Sequence, residues 1–224
     1  MPDIESHKRV LETFTSPIER PALRWMAAHT PAWITPDTMT CVGVFGAVIT
    51  FSGYCLTNLD HNFLWLATLG FVINWFGDSL DGTLARERHI ERPRYGFYID
   101  HAVDAFTEII FFVGLGMSPF VRFDLACLAL IGYFLLSILV YLRTCVKGEF
   151  TISYGKLGPT EVRLIAIAAN TFVYFLGNPT FKVLSFDLSI YDWVVILIII
   201  ILGIICSSTT YIQSKILASI DPRR

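Results

Sequence analysis

Residues 78–104 read DSLDGTLARERHIERPRYGFYIDHAVD. Asp78 and Asp81 stand three apart, and Asp100 and Asp104 stand four apart. Four arginines and two histidines lie among them. On both sides the chain is apolar enough for a lipid bilayer. Charge of this density between two such segments has to be explained, because an ionised group in hydrocarbon is costly and by default marks function.

The flanking chain sets the frame. Of 224 residues, 54% are hydrophobic and 16% charged, with a mean hydropathy of +0.58. A soluble domain carries roughly 25% charge, so the composition predicts a membrane protein. The net charge of −2 gives no reason to expect a nucleic-acid partner. The five cysteines are scattered, show no CxxC pairing, and read as small buried hydrophobes, neither disulfides nor ligands. The N-terminus is polar and charged, so no cleavable signal peptide is expected.

A membrane-spanning helix needs about 20 mainly apolar residues. Candidates run over Thr38–Asn58, Phe63–Gly77, Gly96–Met117, Leu125–Leu142, Val162–Gly177 and Asp192–Gln213. The strings VVILIIIILGII and FVYFL favour strand by propensity. An isolated strand would leave its backbone unpaired in lipid, so helix is expected there too. The expected fold is an all-α integral membrane protein with six transmembrane helices. Residues 37–224 form that domain, and residues 1–36 form an N-terminal cytoplasmic segment. In the latter, PIERPALRWMAAHTPAWITP has prolines at both ends, basic residues, Trp25 and Trp33. It predicts a short amphipathic helix lying in the membrane interface. With six spans, fifteen Lys and Arg fall on the side of the termini and two, Arg122 and Lys182, on the other. The positive-inside rule puts the first side, and the 78–104 stretch with it, at the cytoplasmic face. A bacterial inner membrane or its equivalent is the expected location.

Spacings of three and four keep side chains on one helical face. If the second and third spans lie antiparallel, two carboxylate pairs oppose one another. Their mutual repulsion is relieved by hard divalent cations, which prefer oxygen ligands. Such ions serve where a diphosphate must be held and neutralised. Gly82 and Ala85 leave a bare helix surface that a ring or phosphate can approach. Arg86 is positioned for phosphate oxygens. Gly96 lets two helices pack closely or a substrate come near. Arg88 reads as an ordinary basic residue of a cytoplasmic loop.

The stretch resembles the signature of the CDP-alcohol phosphotransferases, D-x-x-D-G-x-x-A-R followed by G-x-x-x-D-x-x-x-D. Asp78, Asp81, Gly82, Ala85, Arg86, Gly96, Asp100 and Asp104 occupy all of its fixed positions, with nine residues between Arg86 and Gly96. TPDTMT at residues 35–40 is similar to the family's entry to its first span, with Asp37 where Asn is usual. The resemblance implies transfer of a substituted phosphate from a CDP-linked donor to an alcohol acceptor, with release of CMP. It implies that the four aspartates bind two divalent cations, Mg²⁺ or Mn²⁺. Asp78, Gly82, Ala85, Arg86 and Gly96 would contact the CDP diphosphate, and Asp104 would be the base for the acceptor hydroxyl. A homodimer in the bilayer is also implied, and Gly114, Gly116 and Gly132 are small residues available for close helix contact.

The acceptor is less defined. Arg143, Lys147 and Arg163 are expected to form an anion-binding pocket beside the metals, with His101 next to Asp100 orienting a neighbour. That pocket suits a phosphorylated acceptor and CDP-diacylglycerol as donor, which the short chain also favours. IDHAVD and GPTEV are instead similar to choline and ethanolamine phosphotransferases, which would use a CDP-linked head group and diacylglycerol. A membrane prenyltransferase shares paired aspartates but does not require the Gly82, Ala85, Arg86 and Gly96 set. An ion transporter would scatter carboxylates over several spans, whereas here they cluster at one edge.

Overall fold

A computed structural model of the chain describes residues 14–147, 158–183 and 186–221. It is built from α1 (Ser16–His29), α2 (Pro36–Leu56), α3 (Leu64–Glu87), α4 (Pro93–Met117), α5 (Phe123–Lys147), α6 (Pro159–Leu176) and α7 (Ile190–Ile220). A two-stranded hairpin, β1 (Thr180–Val183) and β2 (Phe186–Ser189), separates α6 from α7. The expected all-α fold is corrected by that hairpin, whose antiparallel register pairs Thr180 with Ser189 and Val183 with Phe186. The isoleucine-rich last segment is helical despite its strand propensity, as the lipid argument requires.

Helix starts follow local chemistry. Proline occupies the first turn of α2, α4 and α6, where its missing N–H costs nothing. The Thr35 hydroxyl accepts from Thr38 N at 3.2 Å to cap α2. At α7 the Ser189 hydroxyl accepts from Asp192 N at 2.9 Å and the Asp192 carboxylate accepts from Ser189 N at 2.8 Å, a reciprocal capping box.

Four helices, α2, α3, α5 and α7, are long and apolar enough to cross a membrane. α4 and α6, of 25 and 18 residues, do not reach that mark. They carry Asp100, Asp104, Glu108, Glu161, Arg163 and Asn170, which lower their hydropathy. The outer surface is apolar: Leu128, Ile131, Leu135, Ile138 and Leu142 form an exposed stripe on α5 at helical spacing. The cysteines are free, as expected, but none is buried: Cys41 and Cys145 are exposed and the other three half-buried.

The tightest contact is between α2 and α3. A Cβ on Gly77 would lie 2.7 Å from Gly43 Cα, one on Gly46 2.8 Å from Asn74 Cα, and one on Gly53 2.7 Å from Ala67 Cα. As the α2 number rises the α3 number falls by the same step, the register of antiparallel helices in backbone contact. Gly114, Gly116 and Gly132 have duties within the chain, packing on Phe51, on Phe123 and Ala126, and on Leu202. A buried polar node ties four further positions. Asn170 Oδ1 accepts from the Tyr54 and Tyr191 hydroxyls, each at 3.0 Å, and Asn170 Nδ2 donates to Thr68 Oγ1 at 3.3 Å. That satisfaction removes the penalty of burying amide and phenol together.

Among the described contacts, a carboxylate of helix α1 and an apolar seam tie it to the bundle. Glu19 Oε1 accepts from Trp75 Nε1 at 2.7 Å, Ser79 Oγ at 3.2 Å and Thr160 Oγ1 at 3.0 Å. Leu23 and Ala27 pack with Met39, Leu80 and Leu84. Trp25 and Trp33 are exposed, 64% and 77%.

Candidate active site

The turn between α3 and α4 brings the two aspartate pairs together. Helix α3 continues past Asp81 to Glu87, so the loop is shorter than its polar composition suggests. Ile90 N donates to Ala85 O at 3.0 Å and His89 N to Arg86 O at 3.2 Å, the two bonds of a Schellman ending. His89 takes the left-handed position, at φ 57°, that glycine fills in most such turns. Arg88 is more than a basic loop residue. Its guanidinium donates to Ile34 O at 2.6 Å, Thr30 O at 2.7 Å and Pro31 O at 3.0 Å, fixing the α1–α2 linker. Arg92 Nη2 meets Asp37 Oδ1 at 2.6 Å. The Asp37 carboxylate holds that guanidinium above its usual pKa.

Carboxylate oxygens of Asp78, Asp100 and Asp104 lie within 4.8 Å of one another. All are half-buried, and all are hard oxygen donors, so the set fits a divalent cation such as Mg²⁺ or Mn²⁺. Asp81 has its own partners: Thr40 Oγ1 donates to its Oδ2 at 2.7 Å, and Gly82 N donates to its Oδ1. Arg163 reaches in from α6, with Nη2 2.7 Å from Asp78 Oδ2, and is 8% exposed. The guanidinium offsets part of the carboxylate repulsion while its own charge is kept from water only because it is paired.

The other expected residues fall into two groups. Gly82, Ala85, Arg86, Gly96 and His101 line one cavity with the four aspartates. Arg86 folds back along its helix, its Nη2 3.2 Å from Thr83 Oγ1, and lies over Gly82. Among the described residues, none lies within 4 Å of where a Cβ on Gly96 would sit, and the glycine lines the cavity. His101 Nδ1 lies 2.7 Å from Phe97 O, and a nitrogen facing a carbonyl must carry the proton. Its ring stacks on Phe97 with centroids 4.3 Å apart. Of the three cations expected to hold an acceptor phosphate, Arg163 lines the cavity but is paired with Asp78, and Arg143 is not among the lining residues. The Lys147 side chain lies outside the described residues.

The cavity measures about 1470 Å³ and passes from a polar mouth to an apolar interior. Arg20 and Arg24 of α1, Arg86 and Arg92 stand at the mouth; Phe111, Phe112, Leu115, Val194 and Ile198 line the inner part. Two lining residues escape a reading of the sequence alone. Glu108 sits one turn beyond Asp104 on α4, and the Tyr133 hydroxyl of α5 is its hydrogen-bond partner. The i+4 spacing from Asp104 is the only signal that could have flagged Glu108.

Three aspartates, one from α3 and two from α4, thus meet at one end of a cavity that is polar there and apolar further in. The chain belongs to the CDP-alcohol phosphatidyltransferase family, whose pattern matches residues 31–205. It is 26% identical over 163 residues to cholinephosphotransferase 1 of Danio rerio, covering 68% of this chain and 41% of that protein. It is 27% identical over 139 residues to archaetidylinositol phosphate synthase of Pyrococcus horikoshii, covering 62% and 70%. Against phosphatidylinositol phosphate synthase of Cutibacterium acnes it is 32% identical over 88 residues, 38% of this chain and 39% of that one. The chain thus spans about two fifths of the cholinephosphotransferase it matches. Family membership sets aside the prenyltransferase and transporter readings.

Proposed function

We propose that this protein transfers a substituted phosphate from a CDP-linked donor to an alcohol at the cytoplasmic face of a membrane, releasing CMP. The observation that carries this reading is the convergence of Asp78, Asp100 and Asp104 within 4.8 Å at the head of the cavity. These three, with Asp81 beside them, would hold two divalent ions, Mg²⁺ or Mn²⁺. When bound, such ions neutralise the diphosphate and the charge that develops on departing CMP. Arg86 meets phosphate oxygens, and Gly82, Ala85 and Gly96 give the nucleotide an unobstructed wall. A carboxylate oxygen of Asp104 takes the acceptor's hydroxyl proton; the acceptor's oxygen bonds to the phosphorus of the substituted phosphate, and the P–O bond to CMP breaks, CMP leaving with the bonding pair on its phosphate oxygen. Arg163 orients Asp78 through its 2.7 Å contact.

Six spans, with α4 and α6 crossing as part of the bundle, agree with the lysine and arginine distribution. The polar residues of α4 and α6 face the cavity or the buried node, and this is what allows such helices to cross. Helix α1 then lies along the cytoplasmic interface with Trp25 and Trp33 toward lipid head groups, and the enzyme is a homodimer.

CDP-diacylglycerol is the donor in the first reading, in keeping with the names of the two inositol phosphate synthases. The similarity to cholinephosphotransferase favours a second, in which a CDP-linked head group is passed to diacylglycerol. Purified protein in lipid nanodiscs, supplied with each donor type and a panel of alcohols, should release CMP only with Mg²⁺ or Mn²⁺ present. Absence of metal-dependent CMP from every combination would overturn the reaction.

A further inference from the structure

We propose that Glu108, held by Tyr133, selects an amine-bearing head group as the polar partner in this reaction. The inference rests on the reading above and narrows it to a substrate class.

Formal charge divides along the cavity. The mouth carries Arg20, Arg24, Arg86 and Arg92, the cations suited to phosphate. Past Asp104, toward the apolar interior, Glu108 is the charged residue that α4 contributes to the lining. It lies in α4 between apolar neighbours, where a carboxylate is costly without a cation. The described cation that acts on it, Arg163, is committed to Asp78 at 2.7 Å. The Tyr133 hydroxyl is the hydrogen-bond partner of Glu108, and both side chains line the cavity. Tyr133, Tyr141, Phe111 and Phe112 line the same region and offer aromatic faces.

A carboxylate among aromatic rings in a water-poor cavity suits an ammonium group, by charge and by cation–π attraction. It opposes a phosphorylated alcohol, whose charge would meet Glu108 directly. Among the described residues, the cations expected to hold an acceptor phosphate are not gathered there, since Arg163 is paired with Asp78 and Arg143 is not among the lining residues. The ammonium can arrive on either molecule: as a CDP-linked amino alcohol donor used with diacylglycerol, or as a free amino alcohol used with CDP-diacylglycerol.

The test uses the full chain in nanodiscs with Mg²⁺. Its arms are CDP-choline or CDP-ethanolamine with diacylglycerol, and CDP-diacylglycerol with serine, inositol or glycerol 3-phosphate. One amine-bearing arm should give the highest kcat/KM, and which arm does so identifies the carrier. Glu108→Gln keeps the side-chain size and an acceptor for Tyr133. It should lower the amine-over-inositol ratio of kcat/KM about tenfold or more, mainly through KM. Glu108→Asp should restore part of the ratio, and Tyr133→Phe should lower it about twofold to fivefold. Preference of the wild type for inositol or glycerol 3-phosphate, or an unchanged ratio in Glu108→Gln, overturns the assignment while leaving the reaction standing. No CMP from any arm in the wild type overturns the reaction itself.

Discussion

Replacing Glu19 by alanine should release α1 from the bundle. The carboxylate accepts hydrogen bonds from Trp75, Ser79 and Thr160 on its Oε1 and from Thr15 on its Oε2, the first three at 2.7 to 3.2 Å. Two of those donors belong to α3 and one to α6, so a single side chain joins three helices. A hydrogen bond to a charged group nets about 1.5–3 kcal/mol, and a half-buried one lies at or below the low end because water replaces it. Taking the 2.7 and 3.0 Å bonds as the main contributors gives a loss of about 2–3 kcal/mol in the docking of α1. That is roughly a 30- to 150-fold shift toward the undocked state. The apolar seam of Leu23 and Ala27, and the Thr15 contact to Glu161 at 2.8 Å, persist and keep the change local. Hydrogen exchange followed by mass spectrometry in detergent reads it directly. Amides of residues 16–29 should lose protection by that factor while those of α2 and α3 keep theirs. Glu19→Gln retains an acceptor and loses only charge, so it should fall between the two. Unchanged protection of α1 in Glu19→Ala would refute the claim that this carboxylate secures the helix.

Asp104→Asn should abolish turnover while retaining most nucleotide affinity, measured by titration of a CDP-alcohol in the presence of Mg²⁺; undiminished CMP release would remove Asp104 as the base. Asp78→Asn strips Arg163 of its partner; breaking such a pair costs about 3–5 kcal/mol, so a lower thermal midpoint and a smaller Mg²⁺-induced rise in it are expected. Gly70→Val drives a side chain into α2, since a Cβ there already lies 2.7 Å from Gly46 O. Overpacking of that kind costs about 1–3 kcal/mol or more, and loss of a monodisperse protein on size exclusion is the outcome that checks it. His89→Gly relieves a left-handed residue and should raise the thermal midpoint, the gain being at most about 1 kcal/mol because glycine also loosens the unfolded chain.

The helices and the aspartate site were legible because both are periodic. Spacings of three and four place Asp78 with Asp81 and Asp100 with Asp104 on one face each, and a short polar link forces the faces together. The expected spans at Thr38, Gly96 and Val162 begin two to three residues after the observed starts of α2, α4 and α6, each of which has a proline at its first position. What stayed hidden was long-range. Nothing in the neighbourhood of Arg163 says that it would cross to Asp78, 85 positions away, and its basic character suggested a phosphate ligand instead. Glu108 is a lone acid in an apolar run, and its meaning depends on Tyr133 of a different helix. Arg88 looked like loop decoration because carbonyl acceptors on a distant linker leave no trace in composition. The hairpin was missed because its alternating Phe181, Val183, Phe186 and Leu188 are too few to stand out between two long apolar segments.

The glycine seam between α2 and α3 has a consequence for how the enzyme meets membranes of different thickness. Backbone against backbone leaves no side chain that could rotate to permit sliding, so these two helices tilt as one mast. Thr40 and Asp81 ride on it together, with 2.7 Å between their oxygens. The described contacts of α5 with α7 include a leucine side chain over Gly132, a softer joint. Hydrophobic mismatch should therefore be absorbed on the α5–α7 side. Thr40 and the first aspartate pair would keep their spacing in thin and thick bilayers alike.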